Sequence, residues 1–231
     1  MTTIETIKAD MDWRLGELAV MKTIPHRYNM TENHVTMLQM YLIPAIYALW
    51  EGFVKSVITA YIKEINMSRV TMDSLIMDLL LYAIEIDDKL KLSEARQHED
   101  KKKQFVRHFR NTLSAPVNIK QKVLTESNVN LKIINHLLKS FGLETIPEEY
   151  KGKLDKLLKF RNTIAHGEMA IVVKDEHIAE FTQLINDLMA EVVIRVEDGL
   201  IKKTYLEGGR MISDQGDGSC NQFHIAKEES M

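Results

Sequence analysis

A run of apolar residues at helical spacing, IYALWEGFVKSVITAYI (Ile46–Ile62), decides the fold of this chain. Large apolar side chains recur there every three or four residues, and they cover more than one side of a helix. Such a helix needs neighbours on several sides, so we expect it at the centre of a helical bundle. Pro44 precedes the run, removes one backbone hydrogen bond and crowds the turn before it, which predicts a kink or a short break near residues 40–44.

Helical spacing also marks the chain on both sides of this run. Ten glycines and four prolines are few for 231 residues, and most β-branched residues lie in segments with helical spacing. We therefore predict an all-α fold, a bundle of about six to seven helices. Pro25 is expected to stop the first helix, and Ser93 to cap the fourth. The predicted helices cover residues 3–22, 35–65, 72–86, 93–113, 130–142, 147–167 and 175–206.

The composition predicts one main domain followed by a tail. A chain of 231 residues can bury one substantial core, to which we assign residues 1–206. From Glu207 onward, glycine, serine and aspartate replace most apolar residues, so residues 207–231 are predicted to be flexible. The stretch Asp214–Gly218 has some features of a calcium loop but lacks the glutamate at the twelfth position, and no metal site is predicted.

Charge and cysteine content exclude several classes of protein. The formal net charge of −3 gives no overall attraction to nucleic acid, so binding of a polyanion would need a local basic patch. The one cysteine, Cys220, excludes an internal disulfide framework and a multi-cysteine zinc site, and it fits a reducing compartment. The sequence starts without a basic-then-apolar leader. We expect a cytoplasmic, soluble protein with no membrane partner and no cofactor.

The stretch RNTIAHG (Arg161–Gly167) concentrates chemically useful groups on one predicted helix. Asn162 and His166 are four residues apart and share a face, which the long side chain of Arg161 can also reach. Metal-free cleavage of RNA needs a group that takes and gives protons near neutral pH, and an imidazole is suited to this. It also needs a fixed positive charge beside the phosphate, which a guanidinium supplies while it donates two parallel N–H bonds to the phosphate oxygens.

Two interpretations of this stretch are open from the residues alone. An arginine and a histidine before a glycine are common at helix ends, where they cap carbonyls and face solvent. A catalytic site, by contrast, would need more than one imidazole and one guanidinium, because a single histidine is poorly placed to act as both base and acid. A two-fold dimer that paired the motif helices would supply two of each.

The run Arg161–His166 resembles the motif of HEPN-domain ribonucleases, which is an arginine, a polar residue, three variable residues and a histidine. The helical layout, the late position of the motif and the segment Trp50–Lys55 are similar to small stand-alone HEPN-like nucleases of prokaryotic defence and toxin systems, over residues 5–205. The resemblance implies a metal-independent endoribonuclease that acts on RNA as a homodimer. In it Arg161 and His166 would be catalytic, with Asn162 assisting, and an antitoxin or another defence-system protein would control it. The expected products carry a 2′,3′-cyclic phosphate and a 5′-hydroxyl.

Glu51 lies between Trp50 and Phe53 on the apolar central helix, where an ionised carboxylate is costly without a partner. Arg161 is one candidate partner, and Glu51 would then hold the catalytic guanidinium in place. The other is Lys55, four residues further along the same helix.

Basic residues fall in two stretches that suit contacts with an RNA backbone. Lys103, Arg107 and Arg110 share one face of the predicted fourth helix. Lys156 and Lys159 lie on the motif helix itself, closer to the expected chemistry. The alternative for both stretches is a charged surface that meets only solvent. For the whole chain, the alternatives to an enzyme are a non-catalytic module that binds RNA or a nucleotide, and a helical scaffold for another protein.

Overall fold

The computed structural model describes residues 2–87, 99–123, 128–167 and 171–209. Within these ranges the chain forms seven α-helices and two short 3-10 helices, Met72–Ser74 and Glu148–Tyr150, and no strand. Two isolated antiparallel bridges join Thr71 to Pro116 and Leu75 to Leu206. The all-α bundle predicted from the sequence is confirmed. The α-helices are α1 (Thr3–Arg27), α2 (Glu32–Met67), α3 (Met77–Ile86), α4 (Glu99–Leu113), α5 (Leu131–Ser140), α6 (Lys151–Ala165) and α7 (Asp175–Lys202).

Helix α2 forms the centre of the bundle, as its apolar run predicts. It packs against α1, α6 and α7, and its buried side chains lie on several sides rather than along one stripe. Trp50 is fully buried, and its indole N–H donates to the Val129 carbonyl at 3.1 Å. The buried residues of α2 are Leu42, Ile43, Ile46, Tyr47, Trp50, Phe53, Val54, Val57, Ile58, Tyr61, Ile62 and Ile65.

Helix α2 runs through Pro44 without a break; of the kink or short break expected near residues 40–44, the break is wrong and the kink stays a prediction. Ile43 and Ile46 on either side of the proline are fully buried, and this packing outweighs the one backbone hydrogen bond that proline removes. By length and composition alone α2 could cross a membrane, but half of its most apolar window is buried inside the bundle. Core packing therefore accounts for its apolar character.

The first helix is longer than predicted. Helix α1 continues past Pro25 and ends at Arg27. The proline lies in the last turn, where its missing N–H removes a single bond and the Tyr28 N–H still donates to the Ile24 carbonyl at 3.1 Å. Proline therefore does not stop this helix.

The predicted helix over residues 72–86 is interrupted at Leu75, which is extended. Leu75 pairs with Leu206 across an antiparallel bridge, and the Ile76 N–H donates to the Tyr205 carbonyl at 3.0 Å. These contacts with a distant part of the chain replace helical hydrogen bonds, so α3 begins only at Met77.

The last helix is correspondingly shorter than predicted. It ends at Lys202 because Lys203 adopts a left-handed conformation with φ 50°, which turns the following residues back onto residues 74–76. The Glu207 N–H then donates to the Ser74 carbonyl at 2.9 Å. The rest of the predicted tail, with Cys220 and the calcium-like stretch Asp214–Gly218, lies outside the described residues, as does the predicted cap Ser93.

Candidate functional site

The motif stretch lies at the end of α6, the helix that packs between α2 and α7. Leu154, Leu157 and Leu158 bury one face of α6 in the bundle, which leaves Arg161 and Asn162 half-buried at its edge. The helix ends at Ala165, and Gly167 takes a left-handed φ of 73° just beyond it. The motif is thus presented at an accessible helix end.

Arg161 is held by three neutral groups. Its Nη1 donates to Asn162 Oδ1 at 2.8 Å and to Asn128 Oδ1 at 3.2 Å. Its Cζ lies 4.9 Å from the ring centroid of Tyr47, a cation–π contact. No described carboxylate forms an ion pair with it, so the guanidinium keeps its full positive charge.

The orientation of Arg161 leaves one edge of the guanidinium unused. Both recorded hydrogen bonds start from Nη1, and Nε and Nη2 have no acceptor among the described residues. The N–H bonds of Nε and Nη2 run parallel, which is the geometry that binds two oxygens of one phosphate. This edge can therefore receive an anion without the loss of any contact that holds the side chain.

The Asn162 side chain is hydrogen-bonded to Arg161, whereas the imidazole of His166 is bonded to neither side chain. The Asn162 side-chain oxygen accepts from Arg161, and its backbone carbonyl accepts from the His166 N–H at 3.0 Å. His166 is the C-cap residue of α6 and is exposed. No hydrogen bond or ion pair to its imidazole is found among the described residues, so the structure brings Arg161 and Asn162 into contact and leaves His166 free in solvent.

Tyr47 is part of the site, although its position in the sequence is only a weak signal of this. Its ring is buried, and its hydroxyl accepts from the Val129 N–H at 2.6 Å. Burial raises the pKa of the Tyr47 hydroxyl above its usual range, and the negative charge of Glu51 adds to this, whereas the Val129 N–H and the charge of Arg161 act in the opposite direction. The available signal was the residue type, because a buried tyrosine needs a partner for its hydroxyl.

Asn128 was missed entirely, because it lies in the connector of residues 128–130 before α5, which has no helical period. The connector reaches the site because Val129, the next residue, is tied to α2 twice. Its N–H donates to Tyr47, and its carbonyl accepts from Trp50. Nothing in the local sequence around Asn128 encodes this long-range contact.

Glu51 pairs with Lys55 and not with Arg161. The Lys55 Nζ lies 2.5 Å from Glu51 Oε1, and the Glu51 side chain is 20% exposed. No hydrogen bond or ion pair joins Glu51 to Arg161. Glu51 acts on the site through Tyr47, because its side chain helps to raise the pKa of the Tyr47 hydroxyl.

The predicted RNA-contacting residues differ in how available they are. The Lys156 Nζ is 2.6 Å from Glu180 Oε2 and 5.7 Å from the Phe181 ring centroid, so its charge is already compensated. Lys159 is exposed and forms no ion pair with a described residue. Of the two predicted lysines of α6, Lys159 is the one available to a ligand.

The basic residues of α4 lie in another part of the bundle. Lys103, Arg107 and Arg110 are exposed, and α4 buries none of its residues. Helix α4 contacts the 3-10 helix Met72–Ser74, whereas α6 contacts α2 and α7. These three residues are therefore available to a polyanion but belong to a different surface from Arg161.

His177 and Glu180 are three residues apart on α7, a spacing that could bind a metal, but both side chains have structural contacts. His177 Nδ1 accepts from the Lys174 N–H at 3.2 Å, and its ring lies 4.8 Å from that of Phe160. Glu180 pairs with Lys156. Within the described ranges, no group of three or more histidine, cysteine, aspartate or glutamate side chains could hold a metal ion.

A helical bundle with an arginine, an asparagine and a histidine in this order at the end of a late helix has the layout of a HEPN domain. The family model of MAE_28990-like HEPN proteins matches residues 3–205, and the chain belongs to this family. The match spans all seven described helices. No curated protein and no solved structure matches the chain. HEPN domains are often ribonucleases, and others bind nucleotides.

Proposed function

We propose that the chain is a metal-independent endoribonuclease. The observation that carries this proposal is the state of Arg161, whose partners among the described residues are all neutral and which offers its Nε and Nη2 edge to an anion. A buried or half-buried arginine that serves only stability is expected to meet a carboxylate. An arginine that keeps its charge beside an exposed imidazole suits the phosphate of RNA.

The reaction needs three events, which the residues of the motif can divide among themselves. A base removes the proton of a 2′-hydroxyl, the oxygen attacks the adjacent phosphorus, and an acid protonates the leaving 5′-oxygen. An imidazole of His166 serves as base or acid, and Arg161 stabilises the charge that develops on the phosphate oxygens. Asn162 keeps the guanidinium in position. The products are a 2′,3′-cyclic phosphate and a 5′-hydroxyl.

The proposed active form is a homodimer with the site in its seam. One chain supplies one imidazole and one guanidinium, and a two-fold partner supplies the second of each. Support comes from exposed apolar side chains that share one face of α2, the helix against which α6 packs. Met37 and Tyr41 are 58% and 60% exposed, and helical spacing places Ala48, also exposed, on the same face.

The proposed substrate is RNA bound through its backbone near Arg161. Lys159 is the nearest available lysine on α6, and a longer strand would also meet Lys103, Arg107 and Arg110 on their separate surface of the bundle. Lys156 contributes less because Glu180 already compensates its charge. The biological role we propose, by resemblance, is that of a cytoplasmic toxin or anti-phage effector, controlled by an antitoxin or another defence protein.

A second candidate is a non-catalytic HEPN module that binds RNA or a nucleotide. One observation favours it: the imidazole of His166 has no described partner that would orient it for proton transfer. Under this alternative Arg161 would hold an anionic ligand, and no bond would be broken.

Cleavage by purified protein separates the two candidates. The substrate is a fluorescent RNA oligonucleotide in buffer with EDTA, and the products are tested for a 2′,3′-cyclic phosphate. We expect cleavage by the wild type, and loss of cleavage with retained folding for Arg161→Ala and His166→Ala. The matched control is His136→Ala, which removes another exposed imidazole, on α5, and should cleave like the wild type. RNA binding without cleavage would support the binding module.

A further inference from the structure

We infer that Tyr47 and Asn128 are positioning residues for Arg161, which hold its guanidinium in place without neutralising its charge. The inference deepens the proposed function and depends on it for its catalytic consequence. Its structural content is independent of any reaction, since it concerns how an arginine is fixed in the free protein.

Tyr47 provides a rigid surface under the guanidinium. The ring is 1% exposed and is fixed at both ends, by the packing of α2 and by the bond from the Val129 N–H to its hydroxyl. The Arg161 Cζ lies 4.9 Å from the ring centroid. Because the negative face of an aromatic ring attracts a cation, this contact orients the guanidinium and leaves its N–H groups free.

Asn128 provides the second support, and it is anchored by the same turn of α2. Its neighbour Val129 receives the Trp50 N–H on its carbonyl and gives its own N–H to Tyr47. Asn128 Oδ1 then accepts from Arg161 Nη1 at 3.2 Å. One turn of α2 therefore fixes both the ring below Arg161 and the connector that holds its Nη1.

The neutrality of these supports has a chemical purpose. A carboxylate in place of the Asn128 or Asn162 amide would bind the guanidinium more tightly, but its negative charge would weaken the attraction of Arg161 for phosphate. An aromatic face and an amide oxygen restrict the same side chain and preserve its unit charge. This is the arrangement expected where an arginine has to be ordered before the ligand arrives.

Tyr47→Phe and Tyr47→Leu form the matched pair that tests the role of the ring. Both variants lose the hydroxyl and leave the Val129 N–H unpaired, so both lose stability for that reason. Only the leucine variant lacks an aromatic face. In cleavage assays well below both melting temperatures, we expect the phenylalanine variant to keep kcat within about twofold and the leucine variant to lose about tenfold.

The rigidity of the Arg161 side chain is measured directly by NMR in the absence of RNA. The Nε–Hε group of Arg161, assigned by the loss of its signal in Arg161→Lys, should show the ¹⁵N relaxation of a rigid side chain in the wild type and in Tyr47→Phe. In Tyr47→Leu its relaxation should become that of a mobile surface arginine. Unchanged relaxation of this signal in the leucine variant overturns the inference, even if the wild type cleaves RNA.

Asn128→Ala and Asn128→Asp test the neutrality of the support. The alanine variant leaves Nη1 with its bond to Asn162 alone, and the aspartate variant adds a carboxylate beside it. We expect the aspartate variant to bind a 2′-O-methyl RNA, which cannot be cleaved, more weakly than the alanine variant, with a salt dependence lower by about one unit of slope. Equal or tighter binding by the aspartate variant contradicts the inference.

Failure of this inference and failure of the proposed function give different results. If the wild type does not cleave RNA but the Arg161 signal responds to Tyr47→Leu as expected, the positioning is correct and the nuclease proposal is wrong. If the wild type cleaves while both tyrosine variants show the same kcat and the same signal, the nuclease proposal stands and Tyr47 has only a structural role.

Discussion

Arg195 on α7 and Arg161 on α6 are both half-buried at the edge of the bundle, but they differ in the charge of their partners. Arg195 Nη1 pairs with the carboxylate of Glu191, and its Nε and Nη2 donate to the Thr145 carbonyl at 3.1 and 3.0 Å. Every nitrogen of that guanidinium is in use. Among the described residues Arg161 has no carboxylate partner, and its Nε and Nη2 form no hydrogen bond.

Arg14 on α1 repeats the pattern of Arg195. Its Nε is 3.0 Å from Asp10 Oδ2, its Nη1 donates to the Leu49 carbonyl, and the guanidinium packs against Gly52. In both cases the carboxylate lies four residues earlier on the same helix, whereas the residue four before Arg161 is Leu157. The difference separates two arginines that connect parts of the bundle from one whose charge no described carboxylate compensates.

The largest effect should come from Arg161→Ala compared with Arg195→Ala. We expect the first to lower the cleavage rate by about 10²- to 10³-fold, the usual cost of one transition-state donor, with little change in melting temperature. The second should leave cleavage intact and lower the free energy of unfolding by about 1–3 kcal/mol, since it leaves a carboxylate and a carbonyl unpaired. Initial rates measure cleavage and thermal melts measure stability. If both variants lose cleavage equally, the proposed difference between Arg161 and Arg195 is wrong.

Asn162→Asp should make Arg161 resemble Arg195. The new carboxylate would lie beside Nη1, compensate the guanidinium and lower RNA affinity on the order of tenfold, about the worth of one charged hydrogen bond. Stability should stay equal or rise. Fluorescence anisotropy with 2′-O-methyl RNA measures the affinity, and Thr163→Asp controls for the added charge. The comparison is wrong if both variants weaken binding to the same degree.

Glu191→Gln makes the reverse change, because it leaves Arg195 with neutral partners only. We expect a loss of about 1 kcal/mol in a urea unfolding experiment, since a charged hydrogen bond becomes a neutral one. RNA affinity should not change, because the Thr145 carbonyl still occupies Nε and Nη2. Tighter RNA binding by this variant would mean that any uncompensated arginine on this surface binds RNA.

The smallest expected effect concerns two lysines of α6. Lys159→Ala should lower the salt dependence of RNA binding by about one unit of slope, the effect of one phosphate contact. Lys156→Ala should change it much less, because Glu180 already pairs with Lys156. Affinities at four or more salt concentrations give both slopes. Identical slopes for the two variants would contradict the assigned difference.

The fold could be predicted from the sequence because its determinants are local. Three kinds of determinant act within a turn or two of the chain: the apolar run of α2, the Asn130 side chain that accepts from the Ile133 N–H and caps α5, and the left-handed glycines Gly142 and Gly167. The errors at Leu75 and at the end of α7 fell where a distant segment decided the outcome, whereas the error at Pro25 overrated the cost of one lost hydrogen bond. Leu75 is extended because Leu206 pairs with it, and no pattern around Leu75 encodes that partner.

The candidate site also combines residues that are close in sequence with residues that only tertiary packing brings together. Arg161, Asn162 and His166 were found because they are close in sequence and spaced for one helix end. Tyr47 and Asn128 contact Arg161 only after α2 and the connector have packed together. It was also beyond prediction that no described carboxylate forms an ion pair with Arg161, because Glu51 was a plausible partner until the structure paired it with Lys55.

The bond from the Val129 amide to the Tyr47 hydroxyl has a consequence for the dynamics of the protein. This amide is completely shielded from water, and its acceptor is a side chain rather than a carbonyl of a helix or sheet. Its exchange with deuterated solvent therefore requires the connector to separate from α2, the same opening that releases Arg161. The exchange rate of one backbone proton thus gives the fraction of molecules in which the site is disassembled.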